Sequence, residues 1–296
     1  MASMRDIKRR RNSIASTQQI TKAMKLVSTV KLQKARTRAE NSKPYFACMY
    51  QTVASMLSKV GKIDHPCLQS GSSDKKGIVV ITSNRGLAGG YNSNIVKLIV
   101  DSGFEREKVR LYAVGTKGIE SFARKGYEVA ADYSDVLESL VYADAKEITK
   151  KLLSDFLTGE IGEIYVAYTF FKNTVSHIPT LMKLLPIDPG SMDEEKKNGA
   201  KESGEDEEEK LTLMNFEPNE EQALDLLVPK YLSSILYGAM VEAAASENGA
   251  RMQAMDSATN NAQEMMEELA LKYNRARQGS ITQELTEIIA GAEALG

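Results

Sequence analysis

The chain has 296 residues, 26% of them charged, and a formal net charge of −2, which is length for one or two domains with a real core. It holds no tryptophan and 6% aromatic residues, so binding nucleic acid by base stacking has little to work with. Cys48 and Cys67 are the only cysteines, which excludes a disulfide framework and points to a reducing compartment.

No apolar run approaches about 18 residues, so no segment is expected to span a membrane. The N-terminus lacks the apolar stretch of a signal peptide, and a helical pattern that begins at Ile7 is expected to leave no room for a transit peptide. The near-neutral total hides an asymmetry. Residues 1–43 hold 12 lysines and arginines against Asp6 and Glu40, whereas residues 219–296 hold 5 against 12 acidic residues. The two ends are electrostatically complementary, which favours their pairing.

Residues 1–43 contain neither glycine nor proline. Ile7, Ile14, Ile20, Met24, Val27 and Val30 form a thin apolar stripe on an otherwise basic helix, which needs a partner helix to be stable. Pro44 is expected to kink or end it, because proline removes a backbone donor and clashes one turn back. Tyr45 to Val60 reads as a further helical segment, closing an N-terminal coiled-coil unit of residues 1–60.

Gly61 to Lys76 is a loop by composition. Ile78-Val79-Val80-Ile81 is then wholly apolar, the mark of a strand buried on both faces. A glycine-rich turn, Asn84 to Gly90, leads into a helix from Asn94 to about Ser102. Val109 to Val114 reads as a second strand, followed by a helix to about Lys125, a possible strand at Tyr127 to Ala130, a helix over Tyr142 to Leu157, and a β-rich run over Glu163 to Phe171. Strands alternating with helices predict a small Rossmann-like α/β domain over residues 77–190.

Ser191 to Lys210 carries nine acidic residues, four lysines and two glycines, and reads as a solvated, disordered insertion over 191–210. Leu211 to Phe216 is a candidate strand, and Asn219, with Gln222 three residues on, a capping box. Residues 219–296 form the last unit. Its stretch from Lys230 to about Ala294 repeats apolar or small residues at helical spacing: Tyr231, Ile235, Ala239, Ala243, Ser246, Ala250, Ala254, Ser257, Asn261, Met265, Leu269, Tyr273 and Ala276. A long helix is expected to start afresh near Pro229, with Gly238 and Gly249 weakening it without ending it. At about 98 Å for its 65 residues it exceeds the roughly 50 Å diameter of a compact globule of this size, so it needs cover from outside that globule. The layout is an α/β domain inserted between two long helices that pair as an antiparallel coiled coil.

The loop Gly86-Leu-Ala-Gly89-Gly90 sits where a Rossmann fold cradles a pyrophosphate, but its spacing is G-x-x-G-G and it lacks a Walker lysine. A nucleotide-binding α/β enzyme using the Gly86–Gly90 loop is therefore the alternative, and tight turn geometry the plainer reading. His65 and His177 have no cysteine at ligand spacing, so no metal is expected. No nucleophile elbow is present, so no catalytic residue and no cofactor is expected. Lys8-Arg9-Arg10-Arg11 would attract nucleic acid or anionic lipid, but the chain's own acidic helix is the better partner.

Five blocks carry a resemblance: Ile20-Thr-Lys-Ala-Met24, Ser83 to Asn92 (SNRGLAGGYN), Ala250 to Asp256 (ARMQAMD), Tyr273 to Gln278 (YNRARQ) and Ile281 to Leu285 (ITQEL). Over nearly its whole length the chain resembles the gamma subunit of bacterial F-type ATP synthases, and the last two blocks are the most specific. The resemblance implies a left-handed antiparallel coiled coil turning as a central-stalk rotor inside a hexamer of alternating alpha and beta subunits. The α/β foot would hold the epsilon subunit and the c-ring of the membrane sector, with membrane contact only through that ring and no nucleic acid bound. It implies a noncatalytic subunit with no cofactor, peripheral at the cytoplasmic face of the bacterial cell membrane. It also implies that Met24, Lys25, Arg251, Arg277, Gln278 and Thr282 contact the beta subunits. The acidic stretch departs from the family pattern, and it lacks the cysteine pair of the chloroplast branch, so thiol regulation is not implied.

Overall fold

The computed structural model describes residues 4–59, 65–187 and 220–293. The acidic stretch Ser191 to Lys210, the strand expected at Leu211 to Phe216 and the cap at Asn219 lie outside the described residues. The chain divides into two compact units, one of Met1–Val30 with Arg251–Gly296, the other of Lys31–Ala250.

The larger unit is built on a five-stranded sheet. Its strands are β1 (Lys76–Ile81), β2 (Val109–Val114), β3 (Glu128–Asp132), β4 (Glu163–Phe171) and β5 (His177–Leu185). Their order is β3-β2-β1-β4-β5. β1 pairs parallel with β2 and β4, β2 parallel with β3, and β4 antiparallel with β5. Helices α2 (Tyr91–Val100), α3 (Thr116–Arg124) and α4 (Tyr142–Leu157) connect the parallel strands. This is the doubly wound, Rossmann-like arrangement that the alternation of strands and helices anticipates.

The apolar run in β1 is divided between two layers. Ile78 and Val80 pack with Ile95, Ile99 and Phe122 of α2 and α3. Val79 and Ile81 pack with Ile148 and Leu152 of α4, and that same cluster takes in residues of both long helices. Burial on both faces is why the run shows no alternation. β5 was not legible: its edge position tolerates Pro179, and its burial does not alternate cleanly.

The long helices are α1 (Met4–Lys59) and α5 (Glu220–Glu293). Both run through the prolines that were expected to break them. Pro44 lies inside α1 and Pro229 inside α5. A proline inside a helix costs about 3 kcal/mol or more. That cost is offset by side chains flanking each proline in one core. Val53 and Met56 of α1 and Leu224, Val228, Tyr231 and Leu232 of α5 are all buried in the same cluster. Burying each such side chain contributes roughly 1.5–3 kcal/mol. In addition, Arg38 donates to the Leu140 carbonyl at 2.8 Å, and Ser233 donates its hydroxyl to the Pro229 carbonyl at 2.7 Å.

α5 contains a stretch long and apolar enough to cross a bilayer by length and composition alone, but more than half of that stretch is buried inside the protein. Ala239, Met240, Ala243 and Ala245 of α5 are all buried.

The smaller unit is an antiparallel helix pair. The half-buried or buried residues of α1 here are Met4, Ile7, Arg11, Ile14, Gln18, Thr21, Lys25 and Ser28, alongside flanking Ala15 and Met24. Those of α5 include Met252, Met255, Thr259, Ala262, Met266, Leu269, Tyr273, Ala276 and Ser280. Both sets alternate spacings of three and four, the 3.5-residue period of a left-handed coiled coil. The sequence stripes were partly out of phase with these seams. Ile20, Val27 and Val30 are exposed, as are Ser257, Asn261 and Met265. The seam of α1 is largely polar, so the apolar residues alone trace it only in part, through Ile7, Ile14 and flanking Met24.

Candidate functional site

The polar seam of the helix pair is satisfied across the interface. Gln18 Nε2 donates to Gln263 Oε1 at 3.0 Å. The Thr21 and Thr259 hydroxyls lie 2.8 Å apart. Lys25 Nζ donates to Asp256 Oδ1 at 2.6 Å, and the Arg11 guanidinium lies over the Tyr273 ring at 5.9 Å. Paired numbers fall on one side as they rise on the other, which defines an antiparallel register. An ammonium paired with a carboxylate, and amides and hydroxyls paired with their own kind, leave each polar knob a partner that a one-heptad slip would remove.

The six residues expected to meet beta subunits fall in three places. Met24 and Lys25 lie on the first helix, Met24 half-buried beside the seam and Lys25 held by Asp256. Arg251 is half-buried at the start of the α5 portion of this unit. Arg277, Gln278 and Thr282 are exposed near the far end of α5, and the Thr282 hydroxyl donates to the Gln278 carbonyl at 2.9 Å. From Ile281 to Ala292 every residue of α5 is exposed, Leu285, Ile288 and Ile289 included. Asp256 was missed as a seam residue, as were Thr21 and Thr259; being polar, they carry no apolar signal in the sequence.

In the larger unit, the glycine loop follows β1 at the carboxyl end of the parallel strands, between β1 and β4, where the strand order reverses. Doubly wound sheets bind ligands there. In this chain the polar side chains that flank the loop are spent on the fold. The Ser83 amide donates to Asn92 Oδ1 at 2.9 Å, and Asn92 Nδ2 donates to Ser83 Oγ at 2.7 Å. Asn84 donates to the Ser134 carbonyl at 2.9 Å and accepts from the Thr116 amide at 3.1 Å. Leu87 and Gly89 take positive φ angles of 63° and 57°, the left-handed turn geometry for which a glycine-rich sequence is suited. The helix α5 also reaches this crevice. The Tyr91 hydroxyl donates to the Ala243 carbonyl at 3.2 Å, and Ser246 Oγ donates to the Thr169 carbonyl at 2.9 Å.

His65 and His177 are far apart in role. His65 accepts from the Cys67 amide at Nδ1 and lies 3.2 Å from Asp225 through Nε2, which ties the loop before β1 to α5. His177 packs on Phe171 at the start of β5. Among the described residues no cluster of three or more metal-binding side chains occurs. Glu163, at the start of β4, pairs with Lys76 at the start of β1 and Lys183 on β5. Burial acts to raise the Glu163 carboxyl, but hydrogen bonds from Lys183, Lys76 and Tyr165 outweigh it and hold it down at about 2.

Comparisons with known proteins agree with this geometry. The family model described as ATP synthase matches residues 3–295. The ATP synthase gamma chain of Lachnoclostridium phytofermentans is 64% identical over 295 residues, covering 100% of both chains. The gamma chain of Acetobacterium woodii, described as sodium ion specific, is 41% identical, covering 99% of this chain and 98% of that one. Among solved structures, a chain of the Euglena gracilis mitochondrial ATP synthase (OSCP, F1 and c-ring, rotational state 3) matches the fold with a TM-score of 0.68 at 18% identity. That match covers 99% of this chain and 94% of that chain.

Proposed function

The chain belongs to the ATP synthase gamma-chain family, and from that premise we propose that it is the central-stalk rotor subunit of an F-type ATP synthase. It couples ion flow through the membrane c-ring to ATP synthesis and hydrolysis at the alpha and beta subunits by turning inside their hexamer. It is itself noncatalytic, and it works at the cytoplasmic face of the bacterial membrane, with alpha and beta subunits, epsilon and the c-ring as its partners. The observation that carries the reading is the antiparallel pairing of the two ends of the chain through Gln18–Gln263, Thr21–Thr259 and Lys25–Asp256. A shaft that transmits torque needs two strands that cannot slide past each other.

Met24, Lys25, Arg251, Arg277, Gln278 and Thr282 are the residues we assign to the beta subunits, Lys25 being also paired with Asp256. Arginine offers a planar fork of donors suited to carboxylates across an interface, and exposed Arg277 is placed to use it. The nucleotide-enzyme alternative is not favoured, because Ser83, Asn84, Tyr91 and Asn92, which flank the Gly86–Gly90 loop, are engaged within the chain.

Reconstitution tests the proposal. Alpha, beta, epsilon and membrane-sector subunits assembled with this chain in vesicles should show ATP-driven ion transport, lost when the chain is omitted and restored on its return. The isolated chain should neither hydrolyse ATP nor bind ATP or NAD in calorimetry. Tight stoichiometric nucleotide binding would sink the rotor reading.

A further inference from the structure

We infer that Tyr91, Ser246 and the His177–Gly249 contact together form a key that locks helix α5 to the α/β domain, so that this line of contacts carries torque between shaft and foot. The inference rests on the rotor reading. It gives a task to the Ser83–Asn92 block: the glycine loop presents a gripping side chain at the crevice where related sheets hold a ligand.

A helix packed through small side chains resists rotation about its own axis poorly. The α5 residues buried from Ala239 to Ala245 are Ala239, Met240, Val241, Ala243 and Ala245, three of them alanines with nothing beyond Cβ to key into the domain. Three contacts add directional grip there, and all fall on one stretch of α5. The buried Tyr91 hydroxyl, at the start of α2, reaches the Ala243 carbonyl at 3.2 Å. The fully buried Ser246 reaches the Thr169 carbonyl near the end of β4 at 2.9 Å. One turn on, Gly249 leaves a notch filled by His177: a Cβ built there would meet His177 Nε2 at 2.6 Å.

Gly249 is costly inside a helix by about 1 kcal/mol against alanine, so the notch has a reason to exist. The contacts come from three elements, α2, β4 and β5, on either side of the point where the strand order reverses. Turning α5 about its axis would break both hydrogen bonds and drive the helix backbone into the imidazole. The supporting loop is rigid, because Asn92 and Ser83 bond to each other behind Tyr91.

The test uses the complete complex in vesicles, reading ATP hydrolysis and ions transported per ATP. Tyr91→Phe, Ser246→Ala and His177→Ala are made singly and together. Loss of two buried hydrogen bonds should raise opening of the joint by about tenfold. We expect the triple variant to keep hydrolysis within about twofold of wild type while ions transported per ATP fall by at least about twofold. Gly249→Ala should lower coupling through its clash, and His177→Ala in the same chain should restore it. That rescue is a readout that loss of fold would not give, and it decides the matter if the triple variant fails to assemble. Wild-type coupling in the assembled triple variant, or no rescue of Gly249→Ala, would overturn the key. A wild-type complex whose transport is indifferent to omission of this chain would overturn the rotor reading instead.

Discussion

Exchanging the charges of Lys25 and Asp256 tests the seam directly. The pair is short, 2.6 Å, but its side chains are 39% and 48% exposed. A charge-assisted hydrogen bond in a buried setting contributes about 1.5–3 kcal/mol. At this exposure, solvent screening and the entropy of two ordered side chains reduce that to about 0.5–1 kcal/mol. Lys25→Asp forfeits the pair and sets two carboxylates against each other, so it should destabilise by about 1 kcal/mol or slightly more. For a chain of this length that lowers the melting temperature by about 1–3 °C. Asp256→Lys should do the same with the opposite sign of charge. The double exchange, Lys25→Asp with Asp256→Lys, should return to within about 0.5 kcal/mol of wild type. Thermal unfolding of the full chain by circular dichroism reads all four, and raising the salt should shrink the differences. If the double exchange is no more stable than the worse single variant, the pair does not set the register and the argument fails. In the assembled complex the double exchange should also recover coupling, because it restores the ion pair across the seam.

Three further outcomes follow from other parts of the molecule. Arg277→Ala should slow ATP hydrolysis by the complex about tenfold, the loss of one charged contact of about 1.5–3 kcal/mol in a single rotary state. The isolated variant should melt as wild type does, since the side chain is exposed; turnover equal to wild type at equal assembly would refute the contact. Met24→Lys adds a cation beside Lys22 and Lys25, and should leave hydrolysis in place while lowering ions transported per ATP; an unchanged ratio would refute it. Glu163 is held at about 2 against an ordinary 4.5, so its contribution is complete above about 4.5 and lost as the pH falls through about 2. Glu163→Gln should flatten the fall in melting temperature across that window, and an unaltered acid profile would show that the two lysines do not depend on its charge.

The sequence was read well where burial dictates residue type and poorly where polar pairing does. Helix α4 and strand β4 lie where the pattern placed them, at Tyr142–Leu157 and Glu163–Phe171, because each has a continuous apolar demand from one core. The seam of α1 is built of Arg11, Gln18, Thr21, Lys25 and Ser28, with few apolar members. The apolar stripe therefore joins Ile7, Ile14 and Met24, half-buried on or beside the seam, to Ile20, Val27 and Val30, which are exposed. Only a partner helix reveals which polar residues count. The prolines were misjudged for a related reason. Their local cost is fixed by backbone chemistry, whereas the packing that outweighs it comes from residues far apart in the chain: Val53 and Met56 share one buried cluster with Val228 and Leu232.

The candidate site shows the same division more sharply. The Gly86–Gly90 loop was legible as a strand-to-helix turn, and its position in a doubly wound sheet as a place where ligands bind. What no local reading supplies is the occupant. Ala243 and Ser246 lie more than a hundred residues beyond the loop, and nothing in their alanine-rich surroundings marks them as partners for Tyr91 and Thr169. Yet the crevice suits a helix for the reasons it suits a ligand. Strands diverge there on either side of the reversal, leaving backbone carbonyls and helix starts that need partners. A helix laid across it meets both halves of the sheet at once, so any turn of that helix is opposed from two sides. A Rossmann-like sheet holds a small molecule by those two sides; in this rotor the same geometry is placed to hold a shaft.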